Sequence, residues 1–351
     1  MLIYLHIPFC DSLCHYCSFN SYVDKFDLKK SYMSSIVKHL EAELSNFAVE
    51  KHSIRSLFIG GGTPSTINFK LYEEFFELLN PYLSEDAEIT TEANPNSASL
   101  NWLDGMKKLG VNRISFGVQS FDEKKLKFLG RSHNKNSAIK AVKNAEKVGF
   151  KNISIDLIYG TMLDEKTLLS NDLDIAFSLP INHLSAYSLT IEEGTPFFKT
   201  PKVAIDSIDL AKFFTQEIIR RGFPQYEISN FGNYKSIHNF GYWEHDDYIG
   251  IGAGAVGFLK DKRFYTDKKI EDYINNPKCT SIEHLSSEDI HIEKILLGLR
   301  SEAGVDMNEF YKSEIKNVNI LLSNDKLKSK DGKIFNNDYF LSDELALFIT
   351  N

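Results

Sequence analysis

Three cysteines stand close together near the start of the chain, Cys10, Cys14 and Cys17, in the spacing C-x3-C-x2-C. The remaining one, Cys279, is remote in sequence. Thiolates are the usual ligands of iron–sulfur clusters, and a four-iron cluster ordinarily takes four of them. Three on one short loop would hold such a cluster and leave one iron without a protein ligand. An open iron is where a small molecule binds and reacts, so the spacing points to an active centre rather than an electron wire. Two other chemistries use the same residues. Structural zinc needs four ligands in a closed tetrahedron, and His6 or His15 would have to supply the fourth. A redox pair of Cys14 and Cys17 leaves Cys10 without a task.

Such a loop has to be kept reduced and held by a scaffold. The 351 residues are enough for one large domain and a small one. A composition of 42% hydrophobic and 25% charged residues is that of a globular protein. The net charge of −8 argues against a general nucleic-acid surface. A trio of clustered thiols with one outlier is no disulfide framework. No apolar run approaches the roughly 20 residues that span a bilayer, so no transmembrane segment is expected. The opening MLIYLHIPFCDSLC carries no basic leader and is not a signal peptide. The expected compartment is the reducing cytoplasm.

Short β-branched runs alternate with helical patterns. Strands are expected at Leu2–Ile7, Arg55–Ile59, Glu88–Glu92, Arg113–Val118, Asn152–Ile158 and His183–Leu189. The helices between and after them fall at Phe26–Phe47, Leu71–Leu79, Leu100–Leu109, Ser137–Val148, Glu165–Phe177 and Ile208–Arg221. Regular alternation of this kind predicts an α/β fold with a parallel sheet and helices outside it. Six units fit a doubly wound sheet or an incomplete (β/α)6 TIM-like barrel. Polar residues gather where the strands end, which is where barrels keep their sites, and this favours the barrel. The expected division is a partial barrel over residues 1–225, an aromatic and glycine-rich extension over 226–280, and a small α/β accessory domain over 281–351. Residues Tyr226–Trp243 read as loop-like, and helices are expected near Asp289–Leu299 and Met307–Lys312. Gly252–Gly257 fits G-x-G-x-x-G, but no helix pattern opens on it, so it reads as tight packing and not as a dinucleotide fingerprint.

The segment Tyr4-Leu5-His6-Ile7-Pro8-Phe9-Cys10, followed by Cys14-His15-Tyr16-Cys17, resembles the radical S-adenosylmethionine (SAM) superfamily, whose signature is C-x3-C-x-aromatic-C after a first barrel strand. The resemblance runs along nearly the whole chain. It implies a [4Fe–4S] cluster on Cys10, Cys14 and Cys17, and SAM chelating the fourth iron through its amino and carboxylate groups. It also implies an electron donor for the cluster, reductive cleavage of SAM and a 5′-deoxyadenosyl radical. Tyr16 takes the position that lies against adenine. The segment Gly60-Gly61-Gly62-Thr63-Pro64 resembles the family's glycine-rich stretch, which implies that Gly61, Gly62 and Thr63 contact SAM. Glycines there let backbone approach a ligand closely. Tyr4, Glu92, Gln119, Arg131 and Asp156 correspond to further SAM contacts. Arg131 has the chemistry to pair bidentately with a carboxylate, and Glu92 or Asp156 to accept from ribose hydroxyls or an ammonium.

Within that superfamily the chain is most similar to the coproporphyrinogen branch, which holds the oxygen-independent coproporphyrinogen III oxidase and related heme chaperones. The oxidase carries a further cysteine two places after the third, where this chain has Phe19. The oxidase also has a long extension before its first strand, whereas here the strand begins almost at once. Residues His238-Asn239-Phe240-Gly241-Tyr242-Trp243 match the H-N-x-x-Y-W signature of the chaperones. The resemblance thus implies heme as a ligand, His238 as its axial ligand with His245 as a rival, and Tyr242 and Trp243 as flat surfaces for the porphyrin. It implies delivery of heme to an acceptor such as a respiratory enzyme, and SAM cleavage without oxidase activity. The alternative is the oxidase itself, decarboxylating coproporphyrinogen III to protoporphyrinogen IX.

Overall fold

The computed structural model describes residues 1–351. Six parallel strands arise where β-branched and aromatic residues alternate with polar ones: β1 (Leu2–Ile7), β2 (Ile54–Gly61), β3 (Leu83–Ala93), β4 (Arg113–Gln119), β5 (Asn152–Tyr159) and β6 (His183–Ser188). Between them run α1 (Lys29–Asn46), α2 (Glu73–Leu79), α3 (Leu100–Lys108), α4 (Glu123–Phe128), α5 (Lys135–Val148) and α6 (Lys166–Phe177), and α7 (Ile208–Arg220) follows β6. Each strand pairs in parallel with the next in chain order. A doubly wound sheet would reverse that order at a switch point. Here there is none, and the six units form the open, barrel-like ribbon.

Period-two alternation divides the ribbon into two faces. Ile3, Leu5, Leu57, Ile59, Ile114 and Ile155 belong to a core of 52 buried residues shared with the helices. Burial of each such side chain stabilises by about 1.5–3 kcal/mol. The alternate positions are polar and buried, among them Ser56, Glu88, Thr90, Arg113 and His183. They line the concave side.

The remaining elements correct several expectations. Tyr226–Trp243 is not loop-like: it holds a short strand, β7 (Asn230–Gly232), and a helix, α8 (Ile237–Trp243). Seven residues are too few to declare a helix by periodicity, and α8 depends on tertiary contacts. The stretch after it forms β8 (Tyr248–Ile251) and β9 (Val256–Leu259), joined by β10 (Lys262–Thr266), α9 (Ile270–Asn275) and β11 (Cys279–His284). All four strands extend the main sheet beyond β1, giving the order β11-β10-β9-β8-β1-β2-β3-β4-β5-β6-β7. The expected boundary at 280/281 therefore falls inside β11. Beyond it, α10 (Ser287–Leu299), β12 (Val305–Asp306), α11 (Ile315–Ser323), β13 (Leu327–Lys330), β14 (Lys333–Asn336) and α12 (Ser342–Thr350) share a second core of 11 residues. A helix was expected near Met307–Lys312. Only a 3-10 turn at Met307–Glu309 forms there, and the helix lies later, at α11. No helix is long and apolar enough to cross a membrane.

Candidate functional site

The cysteine loop leaves the C-terminal end of β1 and is closed at its base, where the Cys10 N–H donates to the Tyr22 carbonyl (3.0 Å) and the Tyr22 N–H to the Pro8 carbonyl (2.8 Å). The loop borders a cavity of about 390 Å³ at the strands' C-terminal ends. Cys10, Cys14 and Cys17 line it together with Tyr16, Gly61, Gly62, Thr63, Glu92, Gln119, Arg131 and Asp156. Residues dispersed over 147 positions thus converge. Tyr4 does not line the cavity. Its hydroxyl bonds His6 Nδ1 (3.0 Å) and its ring stacks on Phe58, because its place on β1 lies a turn of the pleat below the mouth.

Two glycines are required by geometry. Gly61 adopts φ +106°, and a Cβ there would sit 2.5 Å from the His6 ring. A Cβ on Gly62 would sit 2.8 Å from the carbonyl oxygens of Ile7 and Phe9. The end of β2 thereby passes directly against the root of the cysteine loop.

The thiols are held by donors. Thr63 Oγ1 donates to Cys10 Sγ (3.4 Å) and Arg131 Nη1 to Cys14 Sγ (3.2 Å). Burial pushes the Cys10 and Cys17 thiols up, so thiolates there need a cation beside them. No three or more His, Cys, Asp or Glu side chains converge closely enough to hold a single ion. Neither His6 nor His15 borders the cavity, and both His6 ring nitrogens are occupied, by Tyr4 and by the Asn20 carbonyl. Tetrahedral zinc therefore lacks its fourth ligand, whereas three spread thiols with sulfur-directed donors fit a larger cluster with one open corner.

Two carboxylates face the same space. Burial, and then Asp156, push Glu92 up to about 8, and its Oε2 accepts from the Gly61 N–H at 3.2 Å. Burial also raises Asp156, which accepts from Ser115 Oγ at 3.0 Å. A cationic group entering the cavity would favour the charged form of both. Gln119 sits at φ +68°, beside a register shift between β4 and β5. A non-glycine residue there stores about 1–3 kcal/mol of strain, of the kind that clusters at ligand sites.

The H-N-x-x-Y-W segment is elsewhere. His238 lies on α8, fully buried against β2 and away from the cavity lining, with Nδ1 on Ser56 Oγ (2.8 Å) and Nε2 on the Tyr242 hydroxyl (2.9 Å). It has no free ring nitrogen for iron. The Tyr242 ring makes T-shaped contacts with His238 and Tyr248, and neither it nor Trp243 borders the cavity. His245, the rival, bonds Glu293. Sequence reasoning missed the residue that fixes this arrangement. Glu88 is buried and accepts from the N–H groups of Ile237 (3.0 Å) and His238 (3.1 Å), and from the hydroxyls of Tyr234 (3.0 Å) and Ser236 (3.4 Å). It caps α8 from another strand, a relation that leaves no local signal.

Burial lowers the His238 pKa to about 3. Below pH 6.5 the unfolded chain binds a proton that the folded one refuses, so this contribution is complete above 6.5 and is lost as pH falls towards 3. Urea unfolding at pH 7 and pH 5 is expected to show a drop larger in the wild type than in His238→Asn by roughly 2 kcal/mol. Equal drops would place a proton on the folded histidine.

A ribbon of parallel strands with three cysteines at its mouth defines a class of protein: the chain belongs to the radical SAM superfamily, whose match spans residues 4–169. Membership implies a [4Fe–4S] cluster and SAM. The chain is 33% identical over 327 residues to the heme chaperone HemW of Bacillus subtilis, covering 88% of this chain and 85% of that one. To HemW of Escherichia coli it is 38% identical over 264 residues, covering 73% and 69%. Within the superfamily it belongs to the HemW family. The fold matches that of coproporphyrinogen III oxidase (HemN) from Escherichia coli, with a TM-score of 0.83, 19% identity, and coverage of 100% of this chain and 90% of that one.

Proposed function

We propose that this protein is a heme chaperone that carries a [4Fe–4S] cluster and SAM in the cavity and passes heme to an acceptor protein. One observation carries the reading: the three-cysteine cavity occurs in a chain akin to heme chaperones over most of its length. Cys10, Cys14 and Cys17 hold the cluster. Glu92 and the backbone of Gly61 and Gly62 receive the ammonium of SAM. Asp156 and Gln119 take its hydroxyls, Thr63 steadies Cys10, and Tyr16 lies against the adenine. When bound, cluster and nucleotide together supply one-electron cleavage of the sulfonium, drawing on a cytoplasmic electron donor. The acceptor is a heme enzyme, with respiratory enzymes as the natural class.

Phe19 is 64% exposed at the cavity mouth, in the place where the oxidase has its further cysteine. The oxidase reading is favoured by the fold alone. After anaerobic reconstitution, heme is expected to give a Soret band. Coproporphyrinogen III with SAM and reductant is expected to give no protoporphyrinogen, and its formation would overturn the chaperone reading. Because His238 is enclosed, His238→Asn is expected to keep the Soret band and lose thermal stability. Loss of the band at an unchanged melting temperature would return His238 to the iron.

A further inference from the structure

The guanidinium of Arg131 is aimed at a cluster ligand rather than at open space. Nη1 donates to Cys14 Sγ (3.2 Å) and Nη2 to the Gly117 carbonyl (2.6 Å), while Nε is buried without a partner. Each terminal nitrogen thus has one N–H committed to the protein, which anchors the guanidinium between the cysteine loop and β4 while its remaining N–H groups stay at the cavity wall.

Its delivery is over-determined. The segment that carries Arg131 is stitched to the cysteine loop at His15, which lies between Cys14 and Cys17. The His15 N–H donates to the Leu129 carbonyl (3.0 Å), and its Nδ1 bonds the Phe128 carbonyl (2.8 Å). Gly130 makes the approach possible. It adopts φ +75°, and a Cβ there would sit 2.9 Å from the His15 ring. Gly117 does the same at the other end, where a Cβ would be 3.3 Å from Nη2.

We propose that Arg131 is a positioning residue that holds the cluster's reduction potential up through its hydrogen bond to Cys14. The inference rests on the reading that the three cysteines carry the cluster. Adding one electron makes the cluster and its thiolates more negative. A cationic donor on a thiolate stabilises that reduced state more than the oxidised one, and hydrogen bonds to cluster sulfurs are a recognised lever on potential. In a buried site the effect is little screened. The three sulfurs are treated unequally: Cys14 has a charged donor and Cys10 the neutral Thr63 hydroxyl at 3.4 Å. Removing Thr63's donor should therefore matter less than removing Arg131's.

The test is an EPR-monitored redox titration of SAM-free, heme-free protein reconstituted anaerobically as wild type, R131Q, R131K, G130A and T63V, with iron and sulfide measured first. The midpoint is expected to fall in R131Q by at least tenfold in the reduction equilibrium, which is 59 mV for a one-electron couple. Smaller drops are expected in R131K and T63V, and a drop in G130A although its guanidinium is intact. If R131Q fails to retain iron, R131K carries the test with the same direction. An unchanged midpoint in R131Q or R131K, with SAM affinity lost, would overturn the proposal and make Arg131 a substrate contact only. A wild type without sulfide would instead sink the cluster reading itself.

Discussion

Serine in place of Cys14 is expected to abolish the cluster: iron and acid-labile sulfide fall to background, and the reduced-state EPR signal disappears. In the proposed reading the thiol is one of three ligands at a site with no spare. His6 is committed to Tyr4 and to the Asn20 carbonyl, and Cys279 lies on β11, bonded to the Ser281 carbonyl. Serine keeps the size of the side chain and a donor group but offers a harder, much less acidic oxygen in place of a soft thiolate. The fold should survive, because the cysteine loop is closed at its base by backbone hydrogen bonds that the substitution leaves intact. Full iron and sulfide content in Cys14→Ser, measured after anaerobic reconstitution, would remove Cys14 from the ligand set.

Glu88→Ala is expected to destabilise the protein strongly although Glu88 is no part of the apolar core. Four donors converge on this one carboxylate, two of them N–H groups at the start of α8. Hydrogen bonds to a charged group contribute about 1.5–3 kcal/mol each, and stranding buried donors costs more than the bonds alone suggest. A loss of about 3–5 kcal/mol is expected, within the range seen when a buried charged network is broken. α8 would come away from β2, and His238 would lose its enclosure against Ser56 and Phe58. The measurement is urea unfolding, alongside cluster content. Stability within 1 kcal/mol of the wild type would show that α8 is held by its apolar contacts instead. Retained cluster with lost stability would show that the packing of α8 on β2 and the cavity mouth act independently.

The strand–helix alternation and the cavity residues at strand ends were legible from sequence because their signals are local, whereas Tyr16 and Arg131 were placed only by the family resemblance. Period-two and period-3.6 patterns and a three-cysteine spacing are local, and in a ribbon of parallel strands every strand end delivers its next few residues to the same rim. Cys10, Gly61, Glu92 and Gln119 meet because each stands at or just past a strand's C-terminal end, and Asp156 joins them from within β5. The order of the strands, the attachment of β8–β11 beside β1, and the folding of Tyr226–Trp243 into β7 and α8 were decided by tertiary pairing. So were the enclosure of His238, the cap that Glu88 places on a helix 149 residues away from it in sequence, and the aim of Arg131 at Cys14. A side chain's type declares what it can bond. Which partner it meets across more than a hundred residues depends on close approach and burial, which exist only once the chain has folded.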